Sequence, residues 1–345
     1  MTLPGKQHRI SRPAAACATA AAASLALFAA LLFTGTVDIP AADVWRALGG
    51  DGGEATRLIV IQLRLPMALT SLLAGAGLAL AGLLLQTVFD NPLAGPSILG
   101  VSTGASLGVA ALMLLFGGAA LSAGYFAALL GGALAGAAAV LAALLLFSTL
   151  VRSSIVLLII GILIGYLASA AISLLNFFAT QEGVHSYVIW GLGNFSGVTL
   201  DRLAVFAPAV LLPAAACFLL VKPLNALLLG DVYAASMGVG IRSTRNALLA
   251  LSGILTAAVT AFCGPIGFLG LVVPHVARMA CGTSNHASLL PATLLFGGAV
   301  GLLCAFLSVW LGGGSLIPVN AITPVLSVPV IIYVILNRDR LSYMR

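Results

Sequence analysis

The feature that most constrains this chain is a succession of apolar runs, each about 17 to 25 residues long and nearly free of charge, recurring from residue 14 to residue 337. One α-helix of that length crosses the hydrocarbon core of a bilayer while satisfying its own backbone hydrogen bonds. Helices are expected near 14–34, 65–88, 97–116, 122–150, 153–178, 202–221, 246–263, 265–280, 289–310 and 320–337. Gly264 and Pro265 interrupt the 246–280 stretch, which leaves either two short helices or one broken segment lining a cavity. With 61% hydrophobic and 7% charged residues, the chain falls outside soluble globules, where about a quarter of residues are charged. A β-barrel is excluded because its strands alternate apolar and polar residues, whereas these runs are continuously apolar. The fold class is an all-α polytopic membrane protein of about ten transmembrane helices, with membrane lipid as its surroundings.

The net charge of +6 does not indicate nucleic acid, because the basic residues stand singly between apolar segments and form no stripe. They fit membrane topology instead. With the N-terminus in the cytoplasm, the inner segments hold Lys6, Arg9, Arg12, Arg152, Lys222, Arg242, Arg245, Arg278, Arg338, Arg340 and Arg345. The outer segments hold Arg46, Arg57, Arg64 and Arg202, so eleven against four obeys the positive-inside rule and puts both termini in the cytoplasm. Lys6, Arg9 and Arg12 before an Ala/Leu-rich run resemble the start of a secretory signal. The run is long for a signal core and ends in no clear small-x-small site, so it reads as an anchor helix.

Small residues recur four apart at Gly100/Gly104/Gly108, Gly132/Gly136, Gly161/Gly165 and Gly297/Gly301, a spacing that lets helix backbones approach closely. Cys17, Cys217, Cys263, Cys281 and Cys304 include no Cys-x-x-Cys pair and read as packing residues. His275, and His185 beside Glu182, are lone histidines without the converging ligands a metal site needs, so no metal is expected. No cofactor is expected either.

The only lysines, Lys6 and Lys222, follow no phosphate-binding loop, so the chain does not hydrolyse ATP by that machinery. Ionisable residues are nearly absent from the spans, where an ion-coupled carrier uses them as relays or ligands. Energy for active transport must then come from a partner. A secondary transporter remains the alternative class. An intramembrane enzyme would need a His-Glu-x-x-His or Gly-x-Ser-x-Gly motif that the sequence lacks, and no catalytic residue is assigned.

Several blocks occur in a recognisable order. They are Leu63-Arg-Leu-Pro66, Gly75 to Gly82, Gln86, Asn91-Pro-Leu-Ala94, Leu99 to Ala105, Trp190-Gly-Leu-Gly193, Gly230-Asp231 with Met237-Gly-Val239, and Gly264 to His275. Through them, nearly the whole chain resembles the permease subunits of bacterial ATP-binding-cassette (ABC) importers for iron-siderophore complexes, haem and cobalamin. The resemblance implies a type II ABC importer permease-like bundle in the cytoplasmic (inner) membrane, with residues 1–345 as one permease domain. It also implies a homodimer, two separate cytoplasmic ABC ATPase subunits, and a periplasmic or surface-tethered solute-binding protein. A ferric siderophore is the first expectation for cargo, as the commonest assignment in the family; cobalamin and haem are carried by the same architecture.

Site residues follow from matching positions. The resemblance makes 222–245 the cytoplasmic coupling loop, where Gly230, Asp231, Tyr233, Ala234, Met237 and Gly238 would meet the ATPase. Leu227, Leu228, Val232 and Ala235 can share one face of a short helix there. External segments 35–64 and 179–201 would receive the solute-binding protein through Arg64, with Arg57 or Arg202 substituting. Met67 stands where relatives repeat an arginine, and Ser308 to Ile317 contains none. A polar pathway lining is expected from Gln86, Asn91, Ser97, Ser102, Thr103 and Ser106.

Overall fold

The computed structural model describes residues 11–51, 53–116, 125–151 and 153–337. Lys6, Arg9, Arg152, Arg338, Arg340 and Arg345, used in the charge count, lie outside these residues, as does the 122–124 start of the fourth expected helix.

Among the described residues every regular element is helical. Helix α1 (Arg12–Phe33) starts with Pro13 in its first turn, where a missing N–H leaves nothing unpaired. Short helices α2 (Ala41–Gly49) and α3 (Glu54–Arg57) lead through a π-helical turn, Leu58–Arg64, into α4 (Leu65–Val88). Next come α5 (Val101–Phe116), α6 (Tyr125–Leu150) and α7 (Ser154–Phe178), then α8 (Gln181–Gly191) and α9 (Leu200–Cys217). Two small helices follow, α10 (Val221–Leu227) and α11 (Asp231–Ser236), before α12 (Ile241–Cys263), α13 (Leu269–Cys281), α14 (His286–Trp310) and α15 (Val319–Leu336).

Among the described residues eight helical stretches are long and apolar enough to span a membrane, and α5 and α13 are shorter apolar helices inside the same bundle. Together they account for the ten expected runs. Helix α4 is the hub: nineteen of its twenty-four residues are buried. By contrast, α7 and α15 turn Leu163, Tyr166, Leu167, Phe177, Val325 and Ile332 outward. A helix apolar all round, with its exposed face as greasy as its buried one, belongs in lipid or against another such helix.

Contacts fix two ends of the bundle. At one end Arg278 meets Gln86, Ser148 meets Asn246, and Asn225 meets His286. The Arg12 guanidinium joins that end by donating to Met279 and Ala280 carbonyls, the last acceptors of α13, which stops at left-handed Gly282. At the other end Arg64 holds the α1–α2 connection and Asn320 holds the start of α15. We call these the Arg12 end and the Arg64 end.

Several sequence expectations shift. The helix expected at 97–116 starts at Val101, because Pro92, Gly95 and Pro96 carry 89–100 as turns and Gly100 takes φ 77°. The 265–280 stretch is helical only from Leu269, after Gly264 at φ 75° and Phe268 at φ 68°. Of the two readings left open there, the broken segment is the one found. Helix α12 begins at Ile241, five residues early, because Thr244 and Arg245 are buried in the bundle. The segment 179–201 contains α8, which packs beside α5.

The glycine spacing is used as expected. A Cβ on Gly108 would fall on the Gly132 carbonyl, one on Gly136 on the Gly104 carbonyl, and one on Gly75 on the Gly297 carbonyl. Gly100 likewise meets the backbone of Gly161 and Gly165. These seams bring α5 onto α6 and α7, and α4 onto α14, at backbone distance, where dispersion substitutes for the absent hydrophobic effect. The described cysteines are all free, and all but Cys17 are buried.

Gly108→Val should therefore overpack the α5–α6 seam by about 1–3 kcal/mol and lower the thermal unfolding temperature in detergent. Gly131→Ala on α6, the partner helix of that seam, where a Cβ meets nothing within 4 Å, serves as the control and should leave that temperature unchanged.

Candidate functional site

A cavity of about 560 Å³ lies along α5. Ser102, Thr103 and Ser106 from α5, with Ser97 from the turn before it, form one wall; Ser169 and Ser173 from α7 form another. Ile172 of α7, Tyr187 of α8, the 265–268 segment, Asn320 and Pro324 complete the lining. Two of the hydroxyls are anchored within their own helices: Ser106 donates to the Ser102 carbonyl at 3.0 Å and Ser173 to the Ser169 carbonyl at 3.0 Å. Their lone pairs are left to face the space, making an uncharged polar wall. Among the described residues no charged side chain lines it. Ser97, Ser169 and Ser173 are exposed, so the cavity is open at the side of the bundle.

Asn320 holds the Arg64 end of this cavity. Its Nδ2 donates to Pro265 O at 2.6 Å and Gly191 O at 3.2 Å, and its Oδ1 accepts from Gly267 N at 3.1 Å. Backbone bonds from Val319 to Gly193 and from Asn194 to Cys263 lock the same three connections. One amide side chain thus satisfies the backbone groups freed where α8, α12 and the approach to α15 stop being helical.

Four expected pathway residues, Ser97, Ser102, Thr103 and Ser106, come together in the cavity. Gln86 and Asn91 do not. Gln86 is buried, donating to Leu271 O at 3.0 Å and accepting from Arg278 Nη1 at 2.6 Å. Asn91 Oδ1 accepts from Leu93 N at 2.9 Å, closing an Asx turn, and His275 Nε2 donates to Pro92 O at 2.7 Å. These three residues anchor the 89–97 turn that delivers Ser97, and His275 is a structural histidine. His185 is exposed at a separate small hollow with Gln181 and Val184. Among the described residues no three His, Cys, Asp or Glu side chains converge on a point.

The 222–245 connection folds as two helices, not one, because Gly230 at φ 95° breaks the chain between α10 and α11. The face expected from Leu227, Leu228, Val232 and Ala235 is accordingly split: Leu227 packs on the core and Val232 is exposed. Gly230, Asp231, Tyr233, Met237 and Gly238 are exposed, whereas Ala234 is fully buried and cannot touch a partner. Leu229, which the sequence reading passed over, and Val232 widen the apolar patch around Tyr233 and Met237. Asp231 lies 3.8 Å from Arg245, tying α11 to α12.

Arg64, expected to dock the solute-binding protein, is buried in this fold. With 6% of its surface exposed, it donates to Leu32 O at 2.9 Å and Val37 O at 2.6 Å across the α1–α2 connection. Gly35 lies directly under the guanidinium. Arg202 is held too, donating to Gly197 O at 2.9 Å with its guanidinium 3.5 Å above the Phe126 ring. Arg57 alone of the three is exposed.

Residues 22–337 match the FecCD transport family. The chain belongs to that family. Similar proteins include the vitamin B12 import system permease protein BtuC of Citrobacter koseri, 35% identical over 90% of this chain and 92% of that protein. The BtuC of Klebsiella pneumoniae is 33% identical over 89% of this chain and 91% of its own length. A solved structure described as an inward-facing conformation of a metal-chelate type ABC transporter matches with a TM-score of 0.80 at 30% identity. It covers 93% of this chain and 99% of that one. As a FecCD protein the chain is a multi-pass membrane permease subunit of an ABC importer.

Ser169, Ser173 and Asn320 are the members of this FecCD site that the sequence reading missed. The i, i+4 spacing of Ser169 and Ser173 on one apolar run was the available signal. Asn320 stood alone at a helix start and gave none. Arg64→Leu should leave Leu32 and Val37 carbonyls unpaired and lower thermal stability by about 1–3 kcal/mol. An unfolding temperature equal to wild type would return Arg64 to the list of docking residues.

Proposed function

We propose that two copies of this chain enclose a translocation path for a bulky metal chelate, cobalamin in the first place, driven by two cytoplasmic ATPase subunits. The observation that carries this reading is the uncharged, hydroxyl-lined cavity, open at the side where α7 and α15 expose apolar faces. At about 560 Å³, a single copy's cavity suits a drug-sized ligand, for which the range is about 300–1,000 Å³. A second copy seated on α7 and α15 would close the open wall, double the space and cover the apolar faces. Hydroxyl lone pairs with no fixed charge let a large polar chelate slide without a tight site.

The vitamin B12 permeases among the relatives support cobalamin over the ferric siderophore that family frequency alone had favoured, and the metal-chelate transporter supports the broader cargo class. In this reading residues 1–345 are one permease domain in the inner membrane, with both termini and 222–245 cytoplasmic. Segments 35–64 and 179–201 face the solute-binding protein, for which Arg57 offers the free cation. Ser97, Ser102, Thr103 and Ser106, joined by Ser169 and Ser173, line the path. Leu229, Val232, Tyr233 and Met237 form an apolar face that fits a groove on the ATPase, with Gly230, Asp231 and Gly238 at its edges.

Proteoliposomes holding the chain, its ATPase and its binding protein should accumulate cyanocobalamin only when ATP is supplied. Accumulation of ferrichrome or haem in its place would change the cargo, and uptake driven by an ion gradient without ATP would replace the mechanism by a secondary carrier. Tyr233→Glu should remove ATPase co-purification while leaving the detergent-solubilised fold intact, since the ring is 68% exposed. Co-purification at the wild-type level would take α11 out of the interface.

A further inference from the structure

At the Arg12 end a second polar cluster, apart from the cavity, joins α10 to α4 through the first residue of α14. His286 is fully buried there. Its Nδ1 lies 3.1 Å from Asn225 Oδ1 on α10, and its Nε2 lies 3.0 Å from Thr87 Oγ1 in the last turn of α4. An amide oxygen only accepts, so Nδ1 carries the proton and the neutral ring offers Nε2 as an acceptor. Asn225 Oδ1 also accepts from the His286 backbone N–H at 2.8 Å. Its Nδ2 donates at 3.0 Å to Asn285 Oδ1, which caps α14 by accepting from Ala287 N. Asn225 is thus bonded to the α14 start on both faces of its amide.

The Thr87 hydroxyl has one proton and two acceptors within reach, His286 Nε2 at 3.0 Å and the Leu83 carbonyl at 3.0 Å. Donation to the ring ties α4 to α10, and donation to its own helix releases it. That makes a switchable joint of two discrete arrangements, the element that coupling between distant sites requires. Thr87 adjoins Gln86, whose backbone carbonyl accepts from Asn91 N at 3.1 Å, and the turn beyond it ends at Ser97 on the cavity wall.

The proposed coupling loop therefore has two roots. Helix α11 is tied to α12 by Asp231 and Arg245, while α10 is tied to α14 and α4 by Asn225, His286 and Thr87. We infer that the Asn225–His286–Thr87 clasp is the joint through which displacement of the α10–α11 loop reaches the cavity-lining 89–103 segment, with His286 as its positioning residue. The inference rests on the ATPase-driven reading above, and goes beyond it by naming the joint.

The test uses the full complex in proteoliposomes, reading ATP hydrolysis and cyanocobalamin uptake on the same sample. Thr87→Val keeps the side-chain shape and removes the hydroxyl; Thr87→Ser keeps the hydroxyl; Asn225→Ala removes the other arm. With the clasp as the joint, Thr87→Val and Asn225→Ala keep wild-type hydrolysis while uptake per ATP falls about tenfold, and Thr87→Ser restores the ratio. An unchanged ratio in both variants overturns the inference. So does a parallel loss of hydrolysis and of folded complex, because that pattern marks a merely structural cluster. A wild-type complex that hydrolyses ATP but moves none of the three chelates instead removes the cargo assignment. The clasp is then judged by the ATP-dependent change in distance between spin labels at Ser97 and Ser236, which Thr87→Val should abolish and whose persistence would overturn it.

Discussion

A backbone group without a partner is intolerable in an apolar bundle, and this chain leaves the helix twice inside one. Residues 89–100 and 264–268 carry N–H and C=O groups outside any helix, and each such group left buried and unpaired costs several kcal/mol. Polar side chains borrowed from elsewhere in the chain supply the partners. His275 serves the first interruption through Pro92, where the Gln86 backbone carbonyl also accepts from Asn91 N, and Asn320 serves the second through Pro265 and Gly267. The interruptions are where the cavity is, because irregular backbone at this depth is tolerated only where it is packed on protein or lines a polar space. The site and the break in the helices are one structural decision.

The spans were legible because apolar length is a one-dimensional signal: each of the ten runs became a helix, with ends displaced by a few residues. The displacements at 97–100 and 265–268 are where glycines and prolines override hydropathy. Gly100 and Gly264 adopt positive φ and pack against the backbone of Gly165 and Trp190, which apolar counting cannot register. The glycine seams were legible for the converse reason, since a four-residue period is itself the packing geometry. Side-chain roles were less so. Arg64 and Ala234 were expected to meet partner proteins and Gln86 to line the pathway, yet the fold buries all three among neighbouring side chains and carbonyls. A lone Arg or Gln reads the same whether its donors meet solvent or a carbonyl thirty or two hundred residues away. Ser102 and Ser106 were recoverable because their spacing put two hydroxyls on one face of one helix.

Burial also separates what can move from what cannot. Helix α4 is enclosed and seamed to α14 at backbone distance, so it cannot slide against α14 without lifting Gly75 off Gly297. A close-packed seam of this kind has one good register and no continuous set of neighbours, so deformation is concentrated elsewhere. The places left are those held by few hydrogen bonds: the 89–100 turn, the 264–268 break and the α10–α11 loop. All three adjoin the cavity or the exposed apolar face of α11, and each is tied to a rigid helix by one or two polar side chains. In the proposed reading, such a permease would change access by re-bonding a few amide and hydroxyl groups at the ends of stiff helices. The uncharged cavity wall is consistent with that economy, because hydroxyls bonded back to their own helices demand no reorganisation as the walls separate.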